Sequence, residues 1–274
     1  MSTIASDRID LPAYFARIGY SGTPRTSLET LRDLHLAHAT HVPFENLDVI
    51  LGRPIRLDLP SLERKLVAER RGGYCYEQNL LFAAVLRQLG FSVDLLQARV
   101  RFGTQRVIPR THVALAVQIG GESWLADLGF GSYGLLHPLP LVPGDYRQFD
   151  WSYQLVREGE AWVLRGPVAG VWQDLYVFNL EPQLAVDFEL GNHYVSTHPD
   201  SRFVQTLTVQ RISVSQRLVL RNTILTTTTL AGESQRSVAG DDELLHLLSE
   251  SFGLSLPAGT RLLPATSPRL EPPK

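Results

Sequence analysis

The sequence predicts an α+β fold in which a helical N-terminal domain precedes an antiparallel β-barrel and a C-terminal unit of strands and helix. Three observations predict it: apolar residues recur at helical spacing in the first 90 residues, they alternate from residue 92 onward, and the last third ends in a helical segment. With 274 residues, 44% of them hydrophobic, the chain can form about two domains or three small ones. We place the boundaries at 1–90, 91–195 and 196–274.

Helices are predicted in the first domain over residues 27–39, 62–68 and 75–89. Thr26 and Glu29 have the spacing of a capping box for the first of them. Gly90 suits the position that follows the third helix, and two glycines before that helix form its entry turn. This assignment places Cys75 at a helix N-terminus.

Period-two alternation predicts the strands of the barrel, and the pair Gly120-Gly121 predicts a tight hairpin between two of them. Strands of the middle third are expected at 92–100, 112–119, 123–127, 151–156, 162–164 and 172–178. Those of the last third are expected at 206–213, 217–220 and 224–228, before a helix at 241–252. Five prolines among the last 18 residues predict a poorly ordered or surface-draped tail.

The composition excludes several classes of function. The 26 basic and 28 acidic side chains give a net charge of −2, which offers no attraction to nucleic acid or to an anionic membrane. The longest apolar run, residues 80–86, is far shorter than the roughly 20 residues of a spanning helix. Charges near the N-terminus interrupt any signal sequence. We therefore expect a soluble, cytoplasmic protein.

Cysteine and lysine are nearly absent from the chain. Cys75 is the only cysteine, so we expect no internal disulfide and no cysteine-rich zinc site. Lys65 and Lys274 are the only lysines, and neither has the sequence surroundings of a buried Schiff-base lysine. We expect no metal site, because three histidines recur every three residues, drift around a helix and are interpreted as structural or capping residues: His35, His38 and His41.

Cys75 is a useful nucleophile only as a thiolate. Two features favour that anion, namely the partial positive charge of a helix N-terminus and a neighbouring imidazolium. The predicted helix supplies the first feature. The glycines before Cys75 also leave backbone N–H groups uncovered, as an oxyanion hole requires.

His112 is the best of the eight histidines for the second feature, because it begins the strand that enters the Gly120-Gly121 hairpin. The strand that leaves this hairpin ends in Asp127, nearly opposite His112. We expect Asp127 to accept the imidazole Nδ1–H, which leaves Nε2 facing the sulfur. That is the division of roles in a Cys-His-Asp triad.

Five stretches of the sequence resemble the arylamine N-acetyltransferases. The most specific runs from Arg71 to Asn79 and reads R-G-G-Y-C-Y-E-Q-N. The others are residues 42–48 (VPFENLD), 111–115 (THVAL), 124–131 (WLADLGFG) and 196–203 (STHPDSRF). They occur in the family's order over about 160 residues, and the chain length is that of prokaryotic members.

The resemblance implies a helical domain, a β-barrel and an α/β lid around a core like that of cysteine proteases and transglutaminases. It maps the family's catalytic triad onto Cys75, His112 and Asp127. The implied reaction is ping-pong transfer of acetyl from acetyl-CoA, through a Cys75 thioester, to arylamines, arylhydrazines or hydrazides. Acetyl-CoA would be a co-substrate, with no tightly bound cofactor.

The resemblance also implies binding residues. Aromatic positions of the acceptor pocket fall on Phe44, Phe130 and Phe203. A glycine loop after Asp127 would let CoA approach, and CoA contacts are assigned to Thr111, Gly129, Gly131 and Ser132. No nucleic-acid or membrane partner is expected, and a homo-oligomer stays open.

Two further patterns are interpreted as structural. The glycine loop matches G-x-G-x-x-G, but Pro138 and Pro140 prevent the long helix that follows such a loop in dinucleotide-binding folds. Glu45 and Arg71 are expected to pair as a strut near the thiol. We expect Glu77, which would oppose a thiolate if it pointed inward, to pair with an arginine.

Three alternatives to arylamine acetylation stay open at the level of sequence. A thiol hydrolase or a transglutaminase-like enzyme would use the same triad with water or lysine as the acceptor. A family member that makes amides in secondary metabolism would share every motif. A non-catalytic binding protein on the same scaffold would hold an inert, buried thiol.

Overall fold

A computed structural model of the protein describes residues 8–104 and 106–263. It confirms the α+β fold class, with helices in the first part of the chain and a nearly closed antiparallel barrel after them. Residues 264–274 of the predicted proline-rich tail lie outside the described residues. The boundaries 1–90, 91–195 and 196–274 stay a prediction.

Helices build the N-terminal part, together with one short strand. In chain order these are α1 (Leu11–Ile18), α2 (Leu28–His41), β1 (Phe44–Glu45), α3 (Leu47–Ile50), α4 (Leu59–Glu63), a π-helical turn (Arg64–Ala68) and α5 (Cys75–Gln88). The predicted capping box of α2 is wrong by one residue. Ser27, in an extended conformation, accepts a hydrogen bond from the Thr30 N–H at 3.3 Å and is the N-cap. Thr26 donates instead to the Leu89 carbonyl, which ties the start of α2 to the end of α5.

The barrel is an eight-stranded antiparallel sheet. Its strands are β2 (Ser92–Val100), β3 (His112–Ile119), β4 (Glu122–Ala126), β5 (Leu139–Pro140), β6 (Gly144–Gln148), β7 (Trp151–Glu158), β8 (Ala161–Val168) and β9 (Val171–Gln183). Their order across the sheet is β5-β4-β3-β2-β9-β8-β7-β6. The pairing of β2 with both β3 and β9 places β3 and β4 at the side of the sheet nearest to α5, which contacts β2 and β3.

The hairpin between β3 and β4 is confirmed, and it sets the position of the predicted site residues. Gly120 and Gly121 have φ angles of 60° and 85°, the left-handed conformation that a two-residue turn of this kind requires. Ile119 pairs with Glu122, and the register continues without a shift to Leu115 and Ala126. Asp127 follows directly after β4.

The C-terminal part is a second antiparallel sheet with three helices. Its elements are α6 (Asp187–Thr197), α7 (Arg202–Gln205), β10 (Thr208–Ile212), β11 (Arg217–Arg221), β12 (Ile224–Thr229), β13 (Gly232–Ser237) and α8 (Asp241–Phe252). The order of the sheet is β1-β10-β11-β12-β13, so its first strand comes from the helical part of the chain. Phe44 of β1 pairs with Gln210 of β10.

One hydrophobic core joins the helical part to the barrel. Tyr14, Leu31 and Phe82 from the helices pack in the same buried cluster as Leu115 and Leu164 from the barrel, all without exposed surface. Because closely packed interiors do not deform easily, this shared core fixes the start of α5 relative to the ends of β3 and β4. A second, smaller core lies under the C-terminal sheet and includes one residue of α3, Leu47.

Two histidines of α2 are buried, and one of them, His35, connects the helices to the barrel. The Nδ1 of His35 lies 3.1 Å from the Leu136 carbonyl, and its Nε2 accepts a hydrogen bond from the Asp127 N–H at 3.2 Å. His38 Nδ1 lies 2.7 Å from the Tyr14 hydroxyl. Burial lowers the pKa of His35 to about 4 and that of His38 to about 3. Both side chains are structural, as predicted.

These two neutral histidines predict destabilisation by acid. The unfolded chain binds protons near pH 6.5, whereas the folded protein does so only near pH 4 or below, so the free energy of unfolding should fall as the pH falls through this window. Between pH 6.5 and pH 5, each histidine contributes at most about 2 kcal/mol of this loss. Urea unfolding near pH 7, 6 and 5 measures the slope.

The matched variants are His35→Gln and His193→Gln, the second at an exposed position. His35→Gln should have a shallower dependence of stability on pH, smaller by about one proton, because the titrating ring is gone. His193→Gln should keep the wild-type slope. Equal slopes for His35→Gln and the wild type would contradict the assignment of the acid sensitivity to His35.

Candidate active site

Cys75 is the first residue of α5, as the sequence predicts. The preceding residue, Tyr74, has an extended conformation and forms the N-cap. Its N–H donates to the Glu77 carboxylate at 3.1 Å, which is one half of a capping box. Since the first N–H groups of a helix have no acceptor within it, the positive end of the helix dipole lies at the sulfur.

The glycines before Cys75 allow close packing. A Cβ at Gly72 would collide with the Pro43 carbonyl oxygen, and one at Gly73 would lie 2.8 Å from the Glu77 carboxylate. The expectation that these glycines leave their N–H groups uncovered is wrong for Gly73, whose N–H donates to the Pro43 carbonyl at 3.3 Å. Close approach of the backbone therefore explains the glycine pair.

His112 and Asp127 are in direct contact. The Asp127 Oδ2 lies 2.8 Å from the Nε2 of His112, and both side chains are buried. The predicted ring orientation, with Nδ1 towards Asp127, is wrong. When the register of β3 and β4 is continued by one residue, Asp127 lies opposite Ala114, which is two residues beyond His112. The imidazole therefore extends along the strand, and its distal nitrogen contacts the carboxylate. Nδ1 is then the nitrogen left for the sulfur, and the nearby Cys75 side chain contributes to raising the pKa of the ring.

Asn79 is a site residue that the sequence reasoning missed. Its Nδ2 donates to Asp127 Oδ1 at 2.9 Å and to the Val113 carbonyl at 2.7 Å, and its Oδ1 accepts from the Leu128 N–H. The available signal was its spacing: four residues after Cys75, it lies on the same face of α5. Oδ1 of Asp127 also accepts the Gly129 N–H at 2.8 Å.

Opposite charge stabilises the buried pair in its ionised form. Burial alone would lower the pKa of His112, but the Asp127 carboxylate and hydrogen bonds to Asp127 and Cys75 raise it to about 10. Burial alone would raise the pKa of Asp127, but His112, Asn79 and the Gly129 N–H hold it below its usual value. An ionised Asp127 therefore keeps a protonated imidazole near the Cys75 side chain.

A cavity of about 370 Å³ opens onto this arrangement and is lined by Cys75 and His112. The three predicted pocket phenylalanines, Phe44, Phe130 and Phe203, all line it. The rings of Phe44 and Phe203 lie 5.8 Å apart, and that of Phe130 meets His112 edge-on at 5.2 Å. The thiol therefore faces an aromatic cavity from which a small molecule can approach.

The residues assigned to CoA fall into two groups. Thr111 and Gly129 line the cavity, and the Thr111 carbonyl lies 3.7 Å from the Cys75 sulfur. Gly131 and Ser132 are not among the described residues that line it. The Ser132 N–H donates to the Gln210 side chain at 2.9 Å, and a Cβ at Gly131 would approach the same amide oxygen. The CoA contacts of these two residues stay a prediction.

Buried ion pairs support the turn before Cys75. Arg71 pairs with Glu45 at 2.7 Å, as predicted. The expectation that Glu77 pairs with an arginine is wrong: its partner is Lys65, whose Nζ lies 2.7 Å from Glu77 Oε1 and 2.8 Å from Asp48 Oδ2. A lysine fits because its compact ammonium can contact two carboxylates from between them.

Comparison with known proteins identifies the family. A model of the N-acetyltransferase family matches residues 27–261. The arylamine N-acetyltransferase of Escherichia coli K12 is 41% identical over 248 residues, which cover 89% of this chain and 88% of that protein. The chain belongs to the arylamine N-acetyltransferase family. It is therefore an acyltransferase.

Solved structures of arylamine N-acetyltransferases share the fold. That of the Nocardia farcinica enzyme has a TM-score of 0.86 and 42% identity, with 91% of this chain and 90% of that chain covered. The Mycobacterium marinum enzyme, solved in complex with CoA, has a TM-score of 0.85 and 35% identity, with 89% and 93% covered. Within the described part of this family member, no helix has the length and apolar character needed to cross a membrane.

Gly129 provides a test of how tightly this site is packed. A Cβ at Gly129 would lie 2.7 Å from the Cys75 Cβ and 2.8 Å from Asn79 Nδ2, closer than real Cβ contacts allow. Gly129→Ala should therefore move the start of α5 or the loop, and reduce the alkylation rate of Cys75 by iodoacetamide at least tenfold. The control is Gly52→Ala, which has a positive φ but open space around it. A wild-type alkylation rate in Gly129→Ala would refute the close packing.

Proposed function

We propose that the protein transfers an acetyl group from acetyl-CoA, through a thioester on Cys75, to the nitrogen of an arylamine, arylhydrazine or hydrazide. The observation that carries the proposal is that Cys75 and His112 line one aromatic cavity, and that His112 is hydrogen-bonded to the buried Asp127. The family's acyltransfer chemistry and the CoA complex of the Mycobacterium marinum enzyme support acetyl-CoA as the donor.

In the first half of the reaction, the Cys75 thiolate attacks the acetyl carbonyl of acetyl-CoA. A new carbon–sulfur bond forms, and the tetrahedral intermediate then expels the sulfur of CoA. The His112 imidazolium donates its proton to this leaving sulfur, so CoA departs as a neutral thiol. The acetyl group remains as a thioester on Cys75, beside a neutral His112.

In the second half, the acceptor nitrogen attacks the thioester. An arylamine is neutral at pH 7, so its lone pair is available for this attack. Neutral His112 removes the proton that becomes acidic as the carbon–nitrogen bond forms. Cys75 leaves as a thiolate, the amide is released, and the thiolate–imidazolium pair is restored.

Binding roles follow from the lining of the cavity. Phe44, Phe130 and Phe203 would form the walls of the acceptor pocket, because their apolar faces suit a flat aromatic ring. Thr111 and Gly129 would contact CoA where it approaches the sulfur. The assignments of Gly131 and Ser132 to CoA belong to the same proposal, through the loop that they share with Gly129.

Intact-mass measurement after mixing with acetyl-CoA alone tests this function. The wild type should gain one acetyl group, and an added arylamine should remove it as the acetylated amine appears. Cys75→Ala should gain none and should have no turnover, because the nucleophile is absent. A wild type that gains no acetyl group, or an adduct that water removes as fast as the amine does, would reject the transferase proposal and favour a thiol hydrolase.

Asp127→Asn should preserve the geometry of the site but impair its chemistry. The amide oxygen can keep the hydrogen bonds from Asn79 and Gly129, which turns the amide NH2 group towards His112 Nε2. Nε2 must then accept a hydrogen bond from this NH2 group, so the neutral ring carries its proton on Nδ1. Nδ1 can therefore not take up another proton during the reaction. We expect the acetylation rate to fall by about 10⁴-fold, as for the tautomer change in serine triads, with little loss of stability.

Single-turnover release of CoA from acetyl-CoA measures that rate, and thermal unfolding checks the fold. Asn79→Asp is the companion variant, because it places a second carboxylate against Asp127 without touching the ring. A wild-type acetylation rate in a folded Asp127→Asn protein would remove Asp127 from the mechanism.

A further inference from the structure

Lys65 is largely, though not fully, buried beneath the turn that leads to Cys75. It is one of only two lysines among 26 basic residues, and its side chain is 12% exposed. Its ammonium lies between two carboxylates, 2.7 Å from Glu77 and 2.8 Å from Asp48. Burial alone would lower the pKa of Lys65, but Glu77, Glu45 and Asp48 together raise it above its ordinary value, so the side chain is a fixed cation.

Lys65 is joined to the nucleophile by a short series of contacts. The Oε1 atom of Glu77 accepts a hydrogen bond from the Lys65 ammonium, and its Oε2 atom accepts one from the Tyr74 N–H. Tyr74 is the residue directly before Cys75. The backbone carbonyl of Lys65 also accepts the Arg71 N–H at 3.0 Å, across the end of the π-helical turn. The residue therefore holds both ends of the segment that leads into α5.

The charges around Lys65 are nearly balanced. Three buried or nearly buried carboxylates, Glu45, Asp48 and Glu77, face two buried cations, Lys65 and Arg71. Arg53 adds a more exposed contact to Asp48, with 54% of its side chain accessible. Of the three carboxylates, Glu77 is in the same first turn of α5 as Cys75. Loss of Lys65 would leave that carboxylate without its ammonium partner, in the same helical turn as the thiol.

From these contacts we infer that Lys65 is a positioning residue for the nucleophile: it keeps Glu77 on the Tyr74 N–H and cancels the negative charge that would oppose the Cys75 thiolate. The inference rests on the proposed role of Cys75 but concerns a residue that touches neither substrate nor sulfur. A surface lysine could not do this, because water and salt would screen it.

Other charged groups also face the thiol. His112 and Asp127 approach it from the barrel, and the two neighbours of Cys75 in the chain, Tyr74 and Tyr76, are titratable as well. Three charged residues of the C-terminal part line the same cavity: Asp200, Arg202 and Arg221. None of these groups changes in the variants below, so a difference between the variants reports on Lys65 and Glu77.

The test is the rate of alkylation by iodoacetamide as a function of pH in the full-length protein. Lys65→Gln removes the positive charge but keeps a hydrogen-bond donor, and Glu77→Gln removes the negative charge but keeps an acceptor for the Tyr74 N–H. The pH of half-maximal rate should rise by about one unit in Lys65→Gln and fall by a similar amount in Glu77→Gln. The double variant should return towards the wild type.

Arg64→Gln is the matched control, because it removes one positive charge from the neighbouring position, where the side chain is 66% exposed. Its profile should match that of the wild type. The inference would be overturned if Lys65→Gln and Glu77→Gln shift the pH of half-maximal rate in the same direction, or if neither variant shifts it. General damage to the site gives no reason for the two variants to shift this pH in opposite directions. If Lys65→Gln does not fold, Glu77→Gln decides: an acid shift supports the role and an unchanged profile rejects it.

The two proposals fail in different ways. If the proposed function is wrong, the wild type will gain no acetyl group from acetyl-CoA, whatever the alkylation profiles of the variants. If only the role of Lys65 is wrong, the wild type will gain the acetyl group and Cys75→Ala will not, but the Lys65 and Glu77 variants will show no opposite shifts.

Discussion

The buried Asp127 carboxylate is the constraint on which the rest of the structure depends. A carboxylate without exposed surface is stable only when hydrogen bonds and a counter-charge replace its water. Those partners come from separate parts of the chain: His112 begins β3, Asn79 lies on α5, and Gly129 follows β4. Asp127 can therefore have its hydrogen bonds and its counter-charge only when the helical part and the barrel pack together in a single arrangement. The arrangement that satisfies Asp127 also brings Cys75 and His112 together.

The sequence predicted this meeting point well, because it depends on local rules. A two-residue glycine turn fixes the register of the strands on either side of it, and so relates Asp127 to His112. The position of Cys75 follows from the start of a helix, which capping and glycine signals mark. The orientation of the imidazole was predicted wrongly. The register places Asp127 two residues along from His112, and the side-chain torsions of His112, which the sequence does not specify, decide the nitrogen that reaches the acid.

Two of the missed elements owe their stability to tertiary contacts. β13 is exposed along its whole length, so no alternation of apolar residues marks it, and it exists through pairing with β12. α6 contains Gly191, a poor helix former, which is needed because the Tyr76 hydroxyl occupies the space of a Cβ there. Lys65 was misread for a related reason. The charged run in which it lies looks exposed in sequence, and only the fold shows the two carboxylates that enclose it.

Two sets of charges thus meet at the first turn of α5 from opposite sides. On the barrel side, Asp127 stabilises the His112 imidazolium. On the helical side, the Lys65 ammonium compensates the Glu77 carboxylate. In the proposed reaction, His112 gives up its proton in the first half and regains it in the second, whereas the other three groups keep their charges. The proposed chemistry therefore combines one proton carrier with a fixed electrostatic background.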